Sequence, residues 1–174
     1  KNDGYEFINH GYRQHTVVDS DRKIYKSTYF YSKVSKHAIY QDIIMGHETL
    51  EKSFDYSPIA FRTPHFGTFE DKENLKIIHS ILKDLSYKYS SSSGPVKFIL
   101  KGFKYSSHNI TELPVSGTAS WPLVIPDAYT FRFAKNTKFN PEQYEKELKI
   151  LFEKMEKNRI HRLNFYADPS QIYD

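Results

Sequence analysis

Short apolar segments closed by turn residues alternate along this chain with longer segments whose apolar residues recur at helical spacing. That alternation narrows the fold more than any other feature. Tyr5-Glu6-Phe7-Ile8 alternates apolar and polar, as a short strand does, and runs into Asn9-His10. Over residues 38–54, Ile39, Ile43, Ile44, Leu50 and Phe54 mark one face of a helix. Pro58 blocks its continuation, and Ile59-Ala60-Phe61 reads as a buried strand ending at Arg62-Thr63-Pro64. Residues 71–85 repeat the scheme with Leu75, Ile78, Leu82 and Leu85. Tyr87-Lys88-Tyr89 is strand-like, and residues 90–94 form a serine loop closed by Gly94-Pro95.

Residues 110–115 and 128–133 are rich in β-formers around Pro114, Pro122 and Pro126. Asn140-Pro141-Glu142-Gln143 opens a helix, with Asn as cap, Pro in the first turn and Gln three residues after the cap. That helix buries Tyr144, Leu148, Leu151 and Met155, and residues 162–166 give a last strand before Pro169. Residues 11–36, polar and Tyr-rich without a period, read as a long loop.

Strands alternating with helices predict a parallel α/β protein, one domain over residues 1–174. The expected core is Ile39, Ile43, Leu50, Phe54, Leu75, Ile78, Leu82, Leu85, Leu148, Leu151 and Met155, on the inner stripes of three helices. Such sheets carry their chemistry at the carboxyl ends of the strands, which directs attention to His10, Arg62, Ser90 and Asp168.

Composition excludes several classes. With 39% hydrophobic and 26% charged residues, the chain is not a disordered tail. No apolar run approaches the ~20 residues of a membrane-spanning helix. Cysteine is absent, so a disulfide scaffold, a thiolate zinc site and a cysteine nucleophile are all excluded. The 16% of aromatic residues would suit stacking on bases, but a net charge of +4 without a basic stripe ranks nucleic acid last among partners.

Two segments bear chemistry. His10 and His15 lie in Asn9-His10-Gly11-Tyr12-Arg13-Gln14-His15, and two imidazoles from one turn share a divalent ion if a carboxylate completes the site. Two histidines five apart also arise by chance in a chain with 8. Arg62, at the end of a buried strand, must find a carboxylate, which a structural salt bridge would equally provide. His65, Phe66 and Gly67 read as a loop lining a cleft, and Tyr25, Tyr29, Phe30 and Tyr31 as a substrate platform, a lid or a partner-facing surface. His37, His47, His79, His108 and His161 read as solvated, and Asn109-Ile110-Thr111 has the form of a glycosylation acceptor.

Taken in order, the segments Gly4 through Tyr12, Leu50-Glu51, Ile59 through Pro64, Leu82 through Ser93, Glu112 through Val115, Ile125 through Phe133 and Asn164 through Pro169 resemble the polysaccharide deacetylase family, carbohydrate esterases related to chitooligosaccharide deacetylase. The resemblance implies a deformed (β/α) barrel and a divalent metal, zinc or similar, held by an aspartate and two histidines. It implies a hydrolase that removes N-acetyl groups from an N-acetylated poly- or oligosaccharide, placed in the cell envelope or secreted. Carried over, His10 and His15 are the metal ligands, and Arg62 orients an aspartate base. Asp168 stands where the family has its acid histidine, and Tyr12, His65, Phe66 and Trp121 line the sugar groove.

The family's aspartate motif precedes its histidine motif, so the barrel is expected to be incomplete on its N-terminal side and metal binding by this chain weak or absent. Asp19 and Asp21 are the first alternatives for a third ligand. The histidine pair is spaced by five residues where four is usual, so one residue must bulge. The competing expectation is a carbohydrate-binding member of the same fold without catalysis.

Overall fold

The computed structural model describes residues 6–19, 24–65, 69–125 and 140–164. They form an α/β protein that divides into two compact units, one built from residues 1–92 and 105–112, the other from residues 93–104 and 113–174.

The first unit holds a sheet of order β3-β4-β6-β5. Strands β3 (Ala60–Arg62), β4 (Tyr89–Ser91) and β6 (Ile110–Glu112) run parallel, and β5 (Tyr105–Ser107) closes the edge antiparallel to β6. The sheet is therefore mixed rather than wholly parallel, and no barrel closes among the described residues. The reversal from β5 to β6 takes only His108 and Asn109, both at positive φ, as a tight turn between twisted strands requires. On the opposite edge, Asn9 bridges Phe61 in parallel: its N–H donates to the Ala60 carbonyl at 3.0 Å and its carbonyl accepts from the Arg62 N–H at 2.9 Å. The strand expected at Tyr5 to Ile8 is reduced to this one bridge among the described residues. The long loop expected over 11–36 instead contains a hairpin of β1 (Thr16–Asp19) and β2 (Ile24–Ser27).

Helices α1 (Lys36–Phe54) and α2 (Lys72–Asp84) follow the periodicity, capped by Ser35 and Asp71, whose side chains accept the Ala38 and Asn74 amides. Ile39, Ile43, Ile78 and Leu82 from these helices pack with Tyr31, Phe61, Tyr87 and Ile110 into one buried cluster. Leu75 is buried as well, whereas Leu50 and Leu85 are half-buried. Phe54 is a correction: at the last turn of α1 it is 49% exposed and stacks on Phe7 with ring centroids 4.7 Å apart.

In the second unit, α3 (Pro95–Lys101) begins directly after Gly94, and α4 (Pro141–Lys157) carries the full reciprocal cap. Asn140 accepts the Gln143 N–H at 2.8 Å while Gln143 returns to the Asn140 N–H at 2.9 Å. Leu148, Leu151 and Met155 are half-buried. Residues 162–164 are not a strand: Asn164 instead folds its amide onto the Leu113 carbonyl at 2.6 Å, and its own carbonyl accepts the Ser116 N–H. The β-rich segment expected at 128–133 lies outside the described residues.

Candidate functional site

The parallel run of Asn9, β3, β4 and β6 sets one register, so the residues that leave the strands at the same end are His10, Arg62, Ser91 and Glu112. Asn9 anchors the first of these. Fully buried, it donates to the Ile43 carbonyl and the Tyr87 hydroxyl, each at 2.9 Å, and accepts the Gly11 N–H at 2.9 Å. His10 then turns its Nδ1 onto the Arg62 carbonyl at 2.7 Å. That contact requires an Nδ1–H donor, which leaves Nε2 as the atom with a free lone pair.

His15 is held in the same manner but more loosely. Its Nδ1 is 3.4 Å from the Tyr29 carbonyl, and its Nε2 is buried with no hydrogen-bond partner, 3.6 Å from Asp42 Oδ2. The His10 and His15 ring centroids are 5.8 Å apart. Desolvation pushes the His10 imidazole down to about 4, aided by the neighbouring His15, Arg62 and His65 charges and opposed by the Arg62 carbonyl. Desolvation also lowers His15, against the pull of Asp42. Both shifts favour the neutral ring, the state in which imidazole binds a metal.

A fixed tautomer with a main-chain carbonyl behind the ring, as at His10, is the support that metal-ligating histidines use, whereas the His15 Nε2, buried without a hydrogen bond, faces the Asp42 carboxylate. The pair fits a divalent metal. A third ligand does not appear beside them: among the described residues no group of three His, Asp or Glu side chains is arranged to hold an ion. Asp21 and the Asp19 side chain lie outside the described residues.

Asp42 is the buried carboxylate beside the pair that the sequence did not reveal. It sits on the inward face of α1, fully buried, where it accepts the Tyr12 and Arg13 N–H groups at 3.1 and 2.7 Å and the Tyr31 hydroxyl at 2.8 Å. Tyr31 is held far above its ordinary pKa by burial and this carboxylate, so it remains a donor. Gly11 has φ +86°, and a Cβ there would collide with Asp42 Oδ2 and lie 2.9 Å from His15 Nε2. Gly46, one turn along α1, leaves room for Asn9: a Cβ would fall against Asn9 Oδ1 and 3.0 Å from the Gly11 carbonyl carbon.

The remaining expected site residues divide. Tyr12 is exposed beside the histidine turn, and Arg62 is the half-buried last residue of β3, its carbonyl engaged by His10. His65 is at φ +54°, with its Nε2 donating to the His15 and Thr28 carbonyls at 2.9 and 3.0 Å and its ring 4.7 Å from Phe30. Those bonds make it a brace for the turn that carries His15. Trp121 belongs to the second unit, 46% exposed, with its main-chain N–H donating to Thr118 Oγ1 at 2.9 Å. Phe66 and Asp168 lie outside the described residues.

Two histidines expected in solvent are buried. His47 sets Nδ1 at 3.1 Å from the Tyr87 hydroxyl and Nε2 at 3.3 Å from Glu51. His79 is wholly buried, with Nε2 at 3.0 Å from Glu112 Oε2 and Nδ1 at 3.4 Å from His108 Nδ1. Glu112, also wholly buried, accepts the Ser92 N–H at 2.7 Å. Helical periodicity reports apolar faces, so a polar residue that finds its partner 33 positions away leaves no trace in it.

No protein-family model matches the chain, and neither a curated protein nor a solved structure matches it.

Proposed function

We propose that this chain is part of a metal-dependent hydrolase that removes N-acetyl groups from an N-acetylated poly- or oligosaccharide, on a deformed (β/α) barrel of the polysaccharide deacetylase type. One observation carries the reading: His10 follows the parallel bridge of Asn9 to Phe61, and the turn after it brings the His15 ring within 5.8 Å, with the His15 Nε2 buried and without a hydrogen bond. His10 and His15 would hold the metal, which when bound supplies Lewis-acid polarisation of the acetyl carbonyl and an activated water. The Arg62 carbonyl holds the His10 Nδ1, and the Arg62 guanidinium would orient a carboxylate base. Tyr12, exposed next to the pair, offers an aromatic face to a pyranose ring.

The lack of a third ligand among the described residues favours a second reading, a carbohydrate-binding member of the fold that performs no hydrolysis. Acetate release from chitooligosaccharides, measured with added Zn²⁺ or Co²⁺ and in the presence of a chelator, separates the two. Metal-dependent acetate release that disappears in His10→Ala and His15→Ala supports the hydrolase. Saturable binding of the oligosaccharide with no acetate released supports the binding module.

A further inference from the structure

We propose that the segment spanning residues 11–36 makes the histidine site selective for an acidic polysaccharide, with Arg13 and Lys33 pairing with carboxylates borne by the bound chain. The N-acetyl groups of that chain rest on the hydrolase reading above, whereas its acidity rests on where the charge of this protein lies. Residues 11–36 hold six Lys or Arg against Asp19 and Asp21, so they carry the whole net charge of +4 and the rest of the chain balances. Arg13, Lys26, Lys33 and Lys36 are exposed, and none forms an ion pair among the described residues. Asp42 offers them no counter-charge at the surface, because it is buried with its oxygens on the Tyr12 and Arg13 amides and the Tyr31 hydroxyl.

Two of these cations are held beside the histidines. The Arg13 guanidinium carbon lies 5.2 Å from the Tyr29 ring centroid, and that ring lies 5.7 Å from the His15 ring. Lys33 Nζ lies 4.8 Å from the Phe30 centroid, Phe30 packs on His65 at 4.7 Å, and His65 is 5.9 Å from His15. A ring face attracts a cation and restrains it, so less side-chain freedom is lost when an anion arrives. The same contacts argue against a nucleic acid. Tyr29 and Phe30 already have cations over their rings, whereas single-stranded nucleic acid needs open aromatic faces for successive bases. Tyr12, 53% exposed, suits a single pyranose ring. A chain that alternates an N-acetylhexosamine with a uronic acid presents both groups, an amide to the histidine pair and carboxylates to the cations.

Calorimetry on the intact chain tests this with a hyaluronan hexasaccharide, chitohexaose and a thymidine hexanucleotide, without added metal. The hyaluronan hexamer is expected to bind at least about tenfold more tightly than chitohexaose at about 0.05 M salt, as a few exposed ion pairs together allow. That preference should shrink at about 0.5 M salt, where such pairs are screened. The double variant Arg13→Gln/Lys33→Gln should lose at least about fivefold in hyaluronan affinity. The double variant Lys52→Gln/Lys83→Gln removes equal charge in the last turns of α1 and α2, which lead into the opposite ends of β3 and β4, and should lose less than about twofold.

Equal affinity for hyaluronan and chitohexaose, absence of binding to both included, overturns the proposal. So does an equal loss in the two double variants, or a hexanucleotide that binds as tightly as hyaluronan. Acetate release from chitooligosaccharides without any preference for hyaluronan keeps the hydrolase reading and removes this one. Preferential hyaluronan binding without metal-dependent acetate release does the reverse. Should Arg13→Gln/Lys33→Gln lose its circular dichroism signal, Lys33→Gln alone decides, and an unchanged hyaluronan affinity in it counts against.

Discussion

Two clusters of the first unit, one around His79 and one around His15, are constructed on opposite terms. At His79 both ring nitrogens have partners, Glu112 on one side and His108 on the other, and the second oxygen of Glu112 takes the Ser92 amide. At His15 the Nδ1 contact is long and Nε2 has no hydrogen bond at all, although a carboxylate stands 3.6 Å away. A buried polar atom without a partner forfeits ~1–3 kcal/mol, and folds seldom tolerate that loss without a use for the atom. The contrast separates a polar network with every facing atom paired from one in which a buried ring nitrogen is left without a hydrogen bond.

The contrast breaks most readily at Glu112. Its carboxylate joins α2 to the end of β4 through His79 and Ser92, so Glu112→Ala should cost about 2–6 kcal/mol, because it leaves the buried His79 ring nitrogen and the Ser92 amide without this acceptor. Urea denaturation measures it. A loss below about 1 kcal/mol, the worth of an ordinary hydrogen bond, would mean that the His79 cluster is no more structural than the His15 one. Leu82→Ala, in the apolar cluster common to both surroundings, should cost roughly 2–5 kcal/mol by the same assay. A value under about 0.5 kcal/mol, typical of the surface, would place α2 the other way round.

His15→Ala should differ in kind from both. It removes an atom that is already unsatisfied, so stability should change by less than about 1 kcal/mol, while Zn²⁺ affinity should fall at least about tenfold. A large loss of stability with unchanged Zn²⁺ binding would move His15 into the structural class.

The smallest effect is the response to acid. Because His10 titrates lower in the folded chain, at about 4 against 6.5, the unfolded chain binds more protons between those values. Stability from this group is therefore fully present above pH 6.5 and is lost as pH falls towards 4. His10 is an exposed residue, so solvent screening keeps the drop modest. Denaturation curves from pH 7 to 4 should fall more steeply for wild type than for His10→Ala, and parallel curves would show that the ring is not desolvated.

Much of this architecture was legible from residue order. The stripes Ile39/Ile43 and Leu75/Ile78/Leu82 and the cap at Asn140 are local signals, and the structure places α1, α2 and α4 on them. What escaped the sequence depended on distant partners. The hairpin of β1 and β2 interrupts a polar, Tyr-rich stretch with strands of four residues, too brief to establish alternation. Helix α3 has seven residues, fewer than two turns, around an apolar run that reads equally as strand. Phe54 extends the stripe of α1 in sequence, but it falls on the last turn and meets Phe7 instead of the core. Within the site, His10 and His15 were visible as a pair. Asp42 was not, because a carboxylate 27 positions beyond His15 on a helix looks like any solvated acid until the turn folds over it.

Gly46 bears on how this protein would respond to engineering. A glycine in mid-helix is an ordinary target for stabilisation, since alanine is worth about 1 kcal/mol more in a helix interior. A consensus-style or helix-scoring library would select that exchange early. Here the added methyl would be driven into Asn9 and the Gly11 carbonyl carbon, so the substitution should gain helix propensity and lose the seating of the edge segment. Thermostability screens that read only bulk melting would record a small net change and miss a displaced histidine turn. Helix optimisation of this chain should leave position 46 alone and work on the exposed outer face of α1 instead.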